Sequence, residues 1–404
     1  MTAPTHIHEL PTEILHLIAS HITSLSRAKD LANLSLVSQR WRSIAQEALL
    51  TTPVFDILLI HQYTLQLLYH PEARLRVRTL EIRSKSRRQI VHLQGGRTMD
   101  QYAPITASDT VLQREHFTPY YLKIIELFTE SERDRKNWAV ALTRDGLPAL
   151  LGILICILPN LKEFKCGNGW LMDFALLTMS MHNEQQIWPT RPSVDFLSKP
   201  LEILKTQIEV LEMPANMSGM IYRPRDSAIF DFRGFTRLRD LGLSFSVLCG
   251  FPVVHQTLPS PKFIFPPTLE ILRISEGLYN VTDFLSLLFL DKKRGFFPEL
   301  YRIEVFFEDD IEYIVSEARV NRVLDPILHL PRMAADAEVE LYMYFPHYSL
   351  HTWKIGGTPW RLKQEGLEVL QIAEDQAYFY TLGYTPFGFA TDMEWEHDGD
   401  VVMK

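Results

Sequence analysis

The feature that most constrains the fold is an L-x-x-L-x-L pattern that returns at a nearly constant interval. Copies begin at Ile208, Leu238, Leu269 and Leu300, so the starts are 30, 31 and 31 residues apart. A repeat of this length and pattern predicts one strand and one returning segment per unit. A single unit cannot bury its apolar face alone, so the units are expected to stack on one another. The alternative is chance recurrence in a leucine-rich α/β protein, and the near-constant spacing argues against it.

The segments around these copies indicate a repeat that varies from unit to unit. Weaker copies of the pattern occur at Val77–Ile82 and at Leu161–Cys166. Val281–Leu290 and Ile311–Val323 have the apolar spacing of helices, whereas Ser244–Phe265 contains several prolines and is predicted to be irregular. Helix in some units and loop in others is typical of an irregular leucine-rich repeat.

Residues 7–50 predict three short helices. Pro11 suits a first helical position, where its missing N–H costs no hydrogen bond, and Asp30 and Ser38 are predicted to cap the second and third helices. A bundle this small cannot bury all of its apolar residues, and Leu10, Leu36 and Trp41 are surplus. Surplus apolar surface on a small helical unit indicates a partner. The apolar positions at helical spacing are Ile14, Leu15, Ile18, Ile22, Leu31, Leu34, Val37, Trp41, Ile44, Ala45, Ala48 and Leu49.

The same stretch resembles a known family. Leu10-Pro11-x-Glu13-Ile14-Leu15, followed by Leu34-Ser35-Leu36-Val37-Ser38-x-Arg40-Trp41-Arg42-Ser43-Ile44-Ala45, is similar to the F-box. The likeness covers about a tenth of the chain, and a generic helical hairpin with a chance Leu-Pro start is the alternative. In the F-box family the three helices dock on the small Skp adaptor, which links to a cullin–RING ubiquitin ligase. The resemblance implies adaptor contacts at Leu10, Pro11, Ile14, Leu15, Ile18, Leu31, Leu34, Val37 and Trp41.

The later part of the chain resembles the degenerate leucine-rich-repeat region that follows the F-box in many fungal F-box proteins. The likeness rests on Leu158–Phe164 (LPNLKEF) and Pro267–Leu272 (PTLEIL). The expected fold class is therefore α/β, with a three-helix F-box at 7–50 and an irregular leucine-rich-repeat-like α/β solenoid at 51–390. That solenoid is expected to contain a flexible loop at about 84–109, and an acidic tail at 391–404 is expected to fray.

A repeat array also predicts a recognition surface. In L-x-x-L-x-L the leucines point inward, and the residues between and just after them face the concave side. If the register is right, this face binds a protein substrate. The residues selected by this rule are Asp240, Ser244, Arg273, Ser275, Arg302, Glu304 and Phe306, together with Gly242 and Ile271.

Composition limits the classes of binding partner and the cellular compartment that we expect for this chain. A net charge of −8 gives no general reason to expect nucleic acid, and the basic run Arg74–Arg88 has no interleaved aromatic residue for stacking on single strands. Three cysteines without CxxC spacing give neither a disulfide framework nor a metal motif. The longest apolar run, Leu147–Leu158, is too short to span a bilayer and is predicted to be a buried helix. We expect a cytoplasmic or nuclear protein with no membrane partner.

No catalytic motif is found. The chain lacks GxSxG, a P-loop, HExxH and a GxGxxG after a strand, and the pair His347 and His351 has no visible metal partners. We therefore expect no enzyme, metal or cofactor, and predict the substrate-recognition adaptor of a Skp–cullin–F-box ubiquitin ligase. The alternative is an F-box scaffold or regulator that binds the Skp adaptor without building a ligase.

Overall fold

The structure is a computed structural model that describes residues 10–22, 27–84, 87–92, 98–103, 114–144, 146–167, 169, 171–179, 195–214, 230–249, 260–307, 311–320, 324–346 and 369–372. The chain is mixed helix and parallel sheet, an α/β protein as expected, and it divides into two compact units, Met1–Arg239 and Asp240–Lys404. The predicted acidic tail at 391–404, and the pair His347 and His351, lie outside the described residues.

The first unit begins with helices and continues into strands and helices. Its helices are α1 Thr12–Ser20, α2 Arg27–Leu34, α3 Gln39–Thr51, α4 Ile60–Tyr69, α5 Pro71–Arg74, α6 Arg114–Phe128, α7 Glu132–Arg144, α8 Gly146–Cys156, α9 Ala175–Thr178 and α10 Ser198–Gln207. Its strands are β1 Val54–Asp56, β2 Thr79–Arg83, β3 Arg87–His92, β4 Thr98–Ala103, β5 Glu163–Lys165 and β6 Val210–Glu212.

Helices α1 to α3 form a small bundle around one apolar core. The buried side chains at its centre are Leu15, Ala19, Leu31, Trp41, Ile44 and Ala45. The predicted cap of the third helix is confirmed, because the Ser38 hydroxyl accepts a hydrogen bond from the backbone N–H of Trp41 at 3.2 Å. The prediction for the second helix is wrong. Helix α2 already begins at Arg27, so Asp30 lies inside its first turn rather than before it.

A parallel sheet of β1, β2, β5 and β6, in that order, follows the bundle. Leu80, Phe164 and Leu211 are register partners in its middle and are buried. The predicted buried helix is confirmed as α8, whose Gly152 is closely packed. A Cβ on Gly152 would lie 2.6 Å from the Cη2 atom of Trp138 in α7, so only glycine allows this approach.

The expected loop at about 84–109 contains regular structure instead. Strands β3 and β4 pair antiparallel, with Arg87 opposite Ala103 and His92 opposite Thr98. The prediction missed them because both segments are largely polar and show no apolar alternation. Strand pairing satisfies backbone hydrogen bonds whatever the polarity of the side chains.

The second unit contains strands that coincide with copies of the L-x-x-L-x-L pattern. It contains β7 Asp240–Ser244, α11 Phe245–Cys249, β8 Ile271–Gly277, α12 Val281–Lys293, β9 Arg302–Phe307, α13 Ile311–Val320, α14 Leu324–Asp336, β10 Glu340–Pro346 and β11 Val369–Ile372. The strands follow one another in the order β7-β8-β9-β10-β11, all parallel to their neighbours except β11, which is antiparallel to β10.

The apolar residues of the repeat lie in register and face the interior. Leu241, Leu272 and Ile303 are register partners on three adjacent strands, and each is fully buried. The next inward-facing positions on these strands are also buried, so the expected strand in each of these copies and the inward direction of the leucines are confirmed. In the second unit this apolar layer fixes which side chains lie on the other face of the strands.

Candidate functional site

The helical bundle separates its predicted contact residues into two groups. Leu15, Leu31 and Trp41 are at most 1% exposed, so their side chains are closed to a partner while the bundle is folded. This corrects their expected role as direct contacts, because the helices use them to form their own core. Pro11 is exposed, and partly exposed side chains are found at Leu10, Ile18 and Leu34.

Among the described residues of the bundle, four large apolar side chains remain at the surface. Ile14 is 41% exposed, Leu17 52%, Leu36 75% and Val37 57%, and we call them the exposed apolar set. Leu36 and Val37 lie in the turn that joins α2 to α3, where Leu36 N–H bonds to Asn33 O and Val37 N–H to Leu34 O. Leu17 was not among the contacts predicted from the sequence, because it lies beside the apolar stripe of α1. Leu36 was recognised as surplus but was not placed among the contacts.

A second candidate surface lies on the strands of the second unit, opposite their leucines. We call it the polar strand face and define it by Asp240, Arg273, Arg302, Glu304, Glu340 and Tyr342. In the register of the strands, Arg273 lies beside Glu304, which lies beside Tyr342. The side chains that form this face therefore come from four consecutive strands.

Charge pairs connect the strands across this face. Arg273 Nη1 donates to Asp240 Oδ1 at 2.5 Å, and its Nε lies 3.5 Å from Glu304 Oε2. Arg302 Nη2 lies 2.6 Å from Glu304 Oε1, and the Arg302 guanidinium lies 4.7 Å from the centre of the Tyr342 ring. Each guanidinium is therefore held by a carboxylate, and one is also held by an aromatic ring.

Several predicted substrate-binding residues are too buried to serve as an open surface. Ser244, Ser275, Glu304 and Phe306 are each at most 6% exposed. The Phe306 ring stacks on Tyr344 with centroids 4.7 Å apart, so the neighbouring strand covers it. The predicted surface is corrected at these four positions. Asp240, Arg273 and Arg302 lie on the polar strand face and remain partly exposed.

Local backbone geometry explains part of this burial. Strand β8 changes register between Ile274 and Gly277, and Glu276 has a positive φ of 54° within this bulge. The Glu276 carboxylate consequently reaches Ser244, whose hydroxyl donates to it at 2.5 Å. Ser275 donates to Leu243 O at 3.4 Å, so both serines are used in bonds between neighbouring strands.

The pKa of one tyrosine beside the polar strand face is shifted. Burial raises the pKa of Tyr344 above its ordinary value, and the nearby Glu304 carboxylate adds to the shift. Among the described residues, no group of three or more His, Cys, Asp or Glu side chains is arranged to hold a metal ion. None of the helices in the described ranges is both long and apolar enough to cross a membrane.

The helical bundle matches the model of a known protein family. Residues 7–55 match the F-box-like family model. The chain carries an F-box-like domain. A search of the curated proteins and a search of the solved structures each gave no match. The family match covers α1 to α3 and most of β1, and it leaves the rest of the chain without an assigned relative.

The F-box-like domain holds its Leu-Pro turn in place with one arginine. Arg40 Nη2 donates to Leu10 O at 2.7 Å and to Thr12 Oγ1 at 2.9 Å. These two bonds tie the start of α1 to α3, thirty residues further along the chain. The prediction from sequence quoted Arg40 only as part of the motif, because its partners lie too far away in sequence to be recognised.

The end of α3 is tied to the segments on either side of it. Arg27 Nη1 donates to Thr52 O at 2.6 Å, and its Nη2 donates to Thr52 Oγ1 at 2.5 Å. The Tyr63 hydroxyl donates to Leu50 O at 2.7 Å. Burial lowers the pKa of Arg27, and the Glu81 carboxylate opposes that effect. The F-box-like domain is thus bonded to the following residues of the first unit.

Proposed function

We propose that this chain is the substrate-recognition adaptor of a Skp–cullin–F-box ubiquitin ligase. Its F-box-like domain binds the Skp adaptor, and its repeat-like region binds a protein substrate. The observation that carries the proposal is the exposed apolar set on a bundle whose core is already filled. A partner that covers large apolar side chains gains binding energy from a few of them.

The proposed mechanism is proximity alone. The chain holds a substrate close to the ubiquitin-conjugating enzyme that the ligase recruits, which raises the effective concentration of a substrate lysine. In this proposal the chain is not an enzyme, supplies no bond-making residue, needs no cofactor and works in the cytoplasm or nucleus.

The second unit supports the receptor part of the proposal. We infer an irregular leucine-rich-repeat-like solenoid after the F-box, within 51–390, because Asp240, Ile271 and Arg302 are register partners on parallel strands 31 residues apart. The next residues on the three strands, Leu241, Leu272 and Ile303, are buried, as stacked repeat units require. The open part of the polar strand face, with Asp240, Arg273 and Arg302, is then the proposed substrate surface.

Co-purification with the Skp adaptor tests the first part. The intact chain should retain the adaptor, and the double variant Leu36→Ala/Val37→Ala should lose most of it. Leu127→Ala is the matched control, since this leucine is 77% exposed on α6, outside the F-box-like domain. Equal retention by all three proteins would remove Leu36 and Val37 from the interface, and absence of binding by the intact chain would end the proposal.

Adding a cullin and its RING partner separates the ligase from a scaffold. A ligase subunit should enter a complex that contains the Skp adaptor and cullin together. A chain that holds the adaptor but excludes cullin would be a scaffold or regulator instead.

A further inference from the structure

We propose that the polar strand face binds a lysine- and arginine-rich segment of the substrate protein. This inference rests on the proposed function, because it names the class of substrate that the receptor takes. The face contains three carboxylates, from Asp240, Glu304 and Glu340, against two guanidinium groups, from Arg273 and Arg302. Glu276 lies in the bulge at the end of β8, and its carboxylate accepts a hydrogen bond from Ser244.

Each positive charge of the face has a carboxylate beside it within the face, although the Nε of Arg302 has no hydrogen-bond partner. Arg273 is held by Asp240 and Glu304, and Arg302 is held by Glu304 and the Tyr342 ring. An incoming acidic group would have to compete with these carboxylates for either arginine. An acidic partner would therefore gain little electrostatic binding energy at this face, since both guanidinium groups already have carboxylate neighbours.

The unused charge of the face is negative. The Glu340 side chain is exposed at the start of β10, and it accepts a long hydrogen bond of 3.3 Å from the Tyr342 hydroxyl. No cation among the described residues forms an ion pair with Glu340. A carboxylate at the rim with a neutral partner can pair with a lysine or arginine from outside.

The aromatic ring is an independent indication of the same ligand class. Tyr342 lies two residues after Glu340 on β10. The guanidinium of Arg302 lies over its ring, 4.7 Å from the ring centre. Carboxylates and a tyrosine ring together are the groups that bind lysine and arginine side chains in proteins. The internal pairs of the face thus show the mode of contact that a basic substrate segment would repeat at Glu340.

The test measures binding of matched peptides to the full chain, both alone and after addition of the Skp adaptor. The probes are two fluorescein-labelled peptides of equal length, in which serine alternates with lysine in one and with glutamate in the other. Fluorescence anisotropy at about 50 mM salt keeps surface charge effects measurable. The lysine peptide should bind and the glutamate peptide should not.

Charge variants locate the binding. Glu340→Gln should weaken binding of the lysine peptide about twofold, and Glu340→Lys about fivefold, because reversal replaces attraction with repulsion. Glu126→Lys makes the same charge change at an exposed site on α6 in the first unit and should have almost no effect. Equal weakening by Glu126→Lys and Glu340→Lys, or equal binding of both peptides by the unmodified chain, would overturn the inference.

Retention of the Skp adaptor is measured for the same proteins. The Glu340 variants should retain it fully, since Glu340 lies outside the F-box-like domain. If the chain failed to bind the adaptor while the peptide results held, the ligase proposal would fall and the basic preference of the face would stand. If the chain bound the adaptor but showed no preference for the lysine peptide, the proposed substrate class would be wrong and the ligase proposal would stand.

Discussion

Replacing single leucines in the F-box-like domain should separate its folding from its binding. Leu15 is fully buried in the bundle core, whereas Leu36 is largely exposed in the turn between α2 and α3. The family resemblance selected Leu15 as a direct contact, and the structure assigns it to the core. The two alanine variants should therefore fail in different assays.

The expected magnitudes follow from the burial of each side chain. Leu15→Ala removes buried methylene groups and leaves a cavity, which should cost about 3 kcal/mol of folding free energy. Leu36→Ala should change the folding free energy by less than about 0.5 kcal/mol, because its side chain has few contacts to lose. If the Skp adaptor covers Leu36, the lost apolar area should weaken binding by about 2 kcal/mol, or about 30-fold in Kd.

Thermal unfolding and adaptor titration measure the two effects on the same samples. Leu15→Ala should lower the midpoint of unfolding of the F-box-like domain. Leu36→Ala should leave this midpoint unchanged and lower the affinity for the Skp adaptor. Leu127→Ala should be neutral in both assays. Our reasoning is refuted if Leu36→Ala destabilises the fold as much as Leu15→Ala does, or if it leaves adaptor affinity unchanged.

Three further outcomes are expected. Arg40→Ala should lower adaptor affinity more than Arg40→Lys, because it frees the Leu-Pro turn of α1; equal affinities in a titration would contradict this. Gly152→Ala should destabilise the first unit by about 2 kcal/mol in chemical denaturation, since its Cβ would collide with Trp138, and an unchanged midpoint would show that the helices move apart freely. Burial raises the pKa of Cys156 to about 12, so the folded chain keeps this thiol protonated at pH 9 while the unfolded chain ionises it. Alkylation of Cys156 at pH 9, followed by mass spectrometry, should therefore be slow until denaturant is added. The folding stability should fall as the pH rises from about 9 toward 12, because only the unfolded chain loses the thiol proton there.

The elements that the sequence predicts correctly are those whose signal is local. The Ser38 cap lies directly before its helix, and the L-x-x-L-x-L copies contain the inward positions of their own strands. The leucines of β7 to β9 were therefore placed correctly without knowledge of their neighbours. The same local signals led to the F-box resemblance, which the family match at 7–55 supports.

The errors arise where burial depends on a distant segment. Each of the three helices has its own apolar stripe, and the sequence does not show that Leu31 and Trp41 fill the core while Val37 remains outside. Phe306 is covered by Tyr344 from the next strand, a contact that its own repeat unit does not contain. The same holds for the start of α2, where Arg27 bonds to Thr52, a residue that follows α3 in the sequence. Side-chain periodicity gives the face of an element, and only the assembled neighbours decide what covers it.

The short sequence separation between neighbouring strands has a consequence for how the second unit is made. Its neighbouring strands pair residues 31, 31 and 38 positions apart, as Asp240 pairs with Ile271, Ile271 with Arg302, and Arg302 with Glu340. Each strand can therefore join the previous one as soon as it leaves the ribosome, without waiting for distant parts of the chain. In the first unit, by contrast, Thr79 pairs with Glu163, so β2 must stay unpaired on that edge while 84 more residues are synthesised. During synthesis, this edge of β2 therefore stays exposed for longer than the paired strand edges of the second unit.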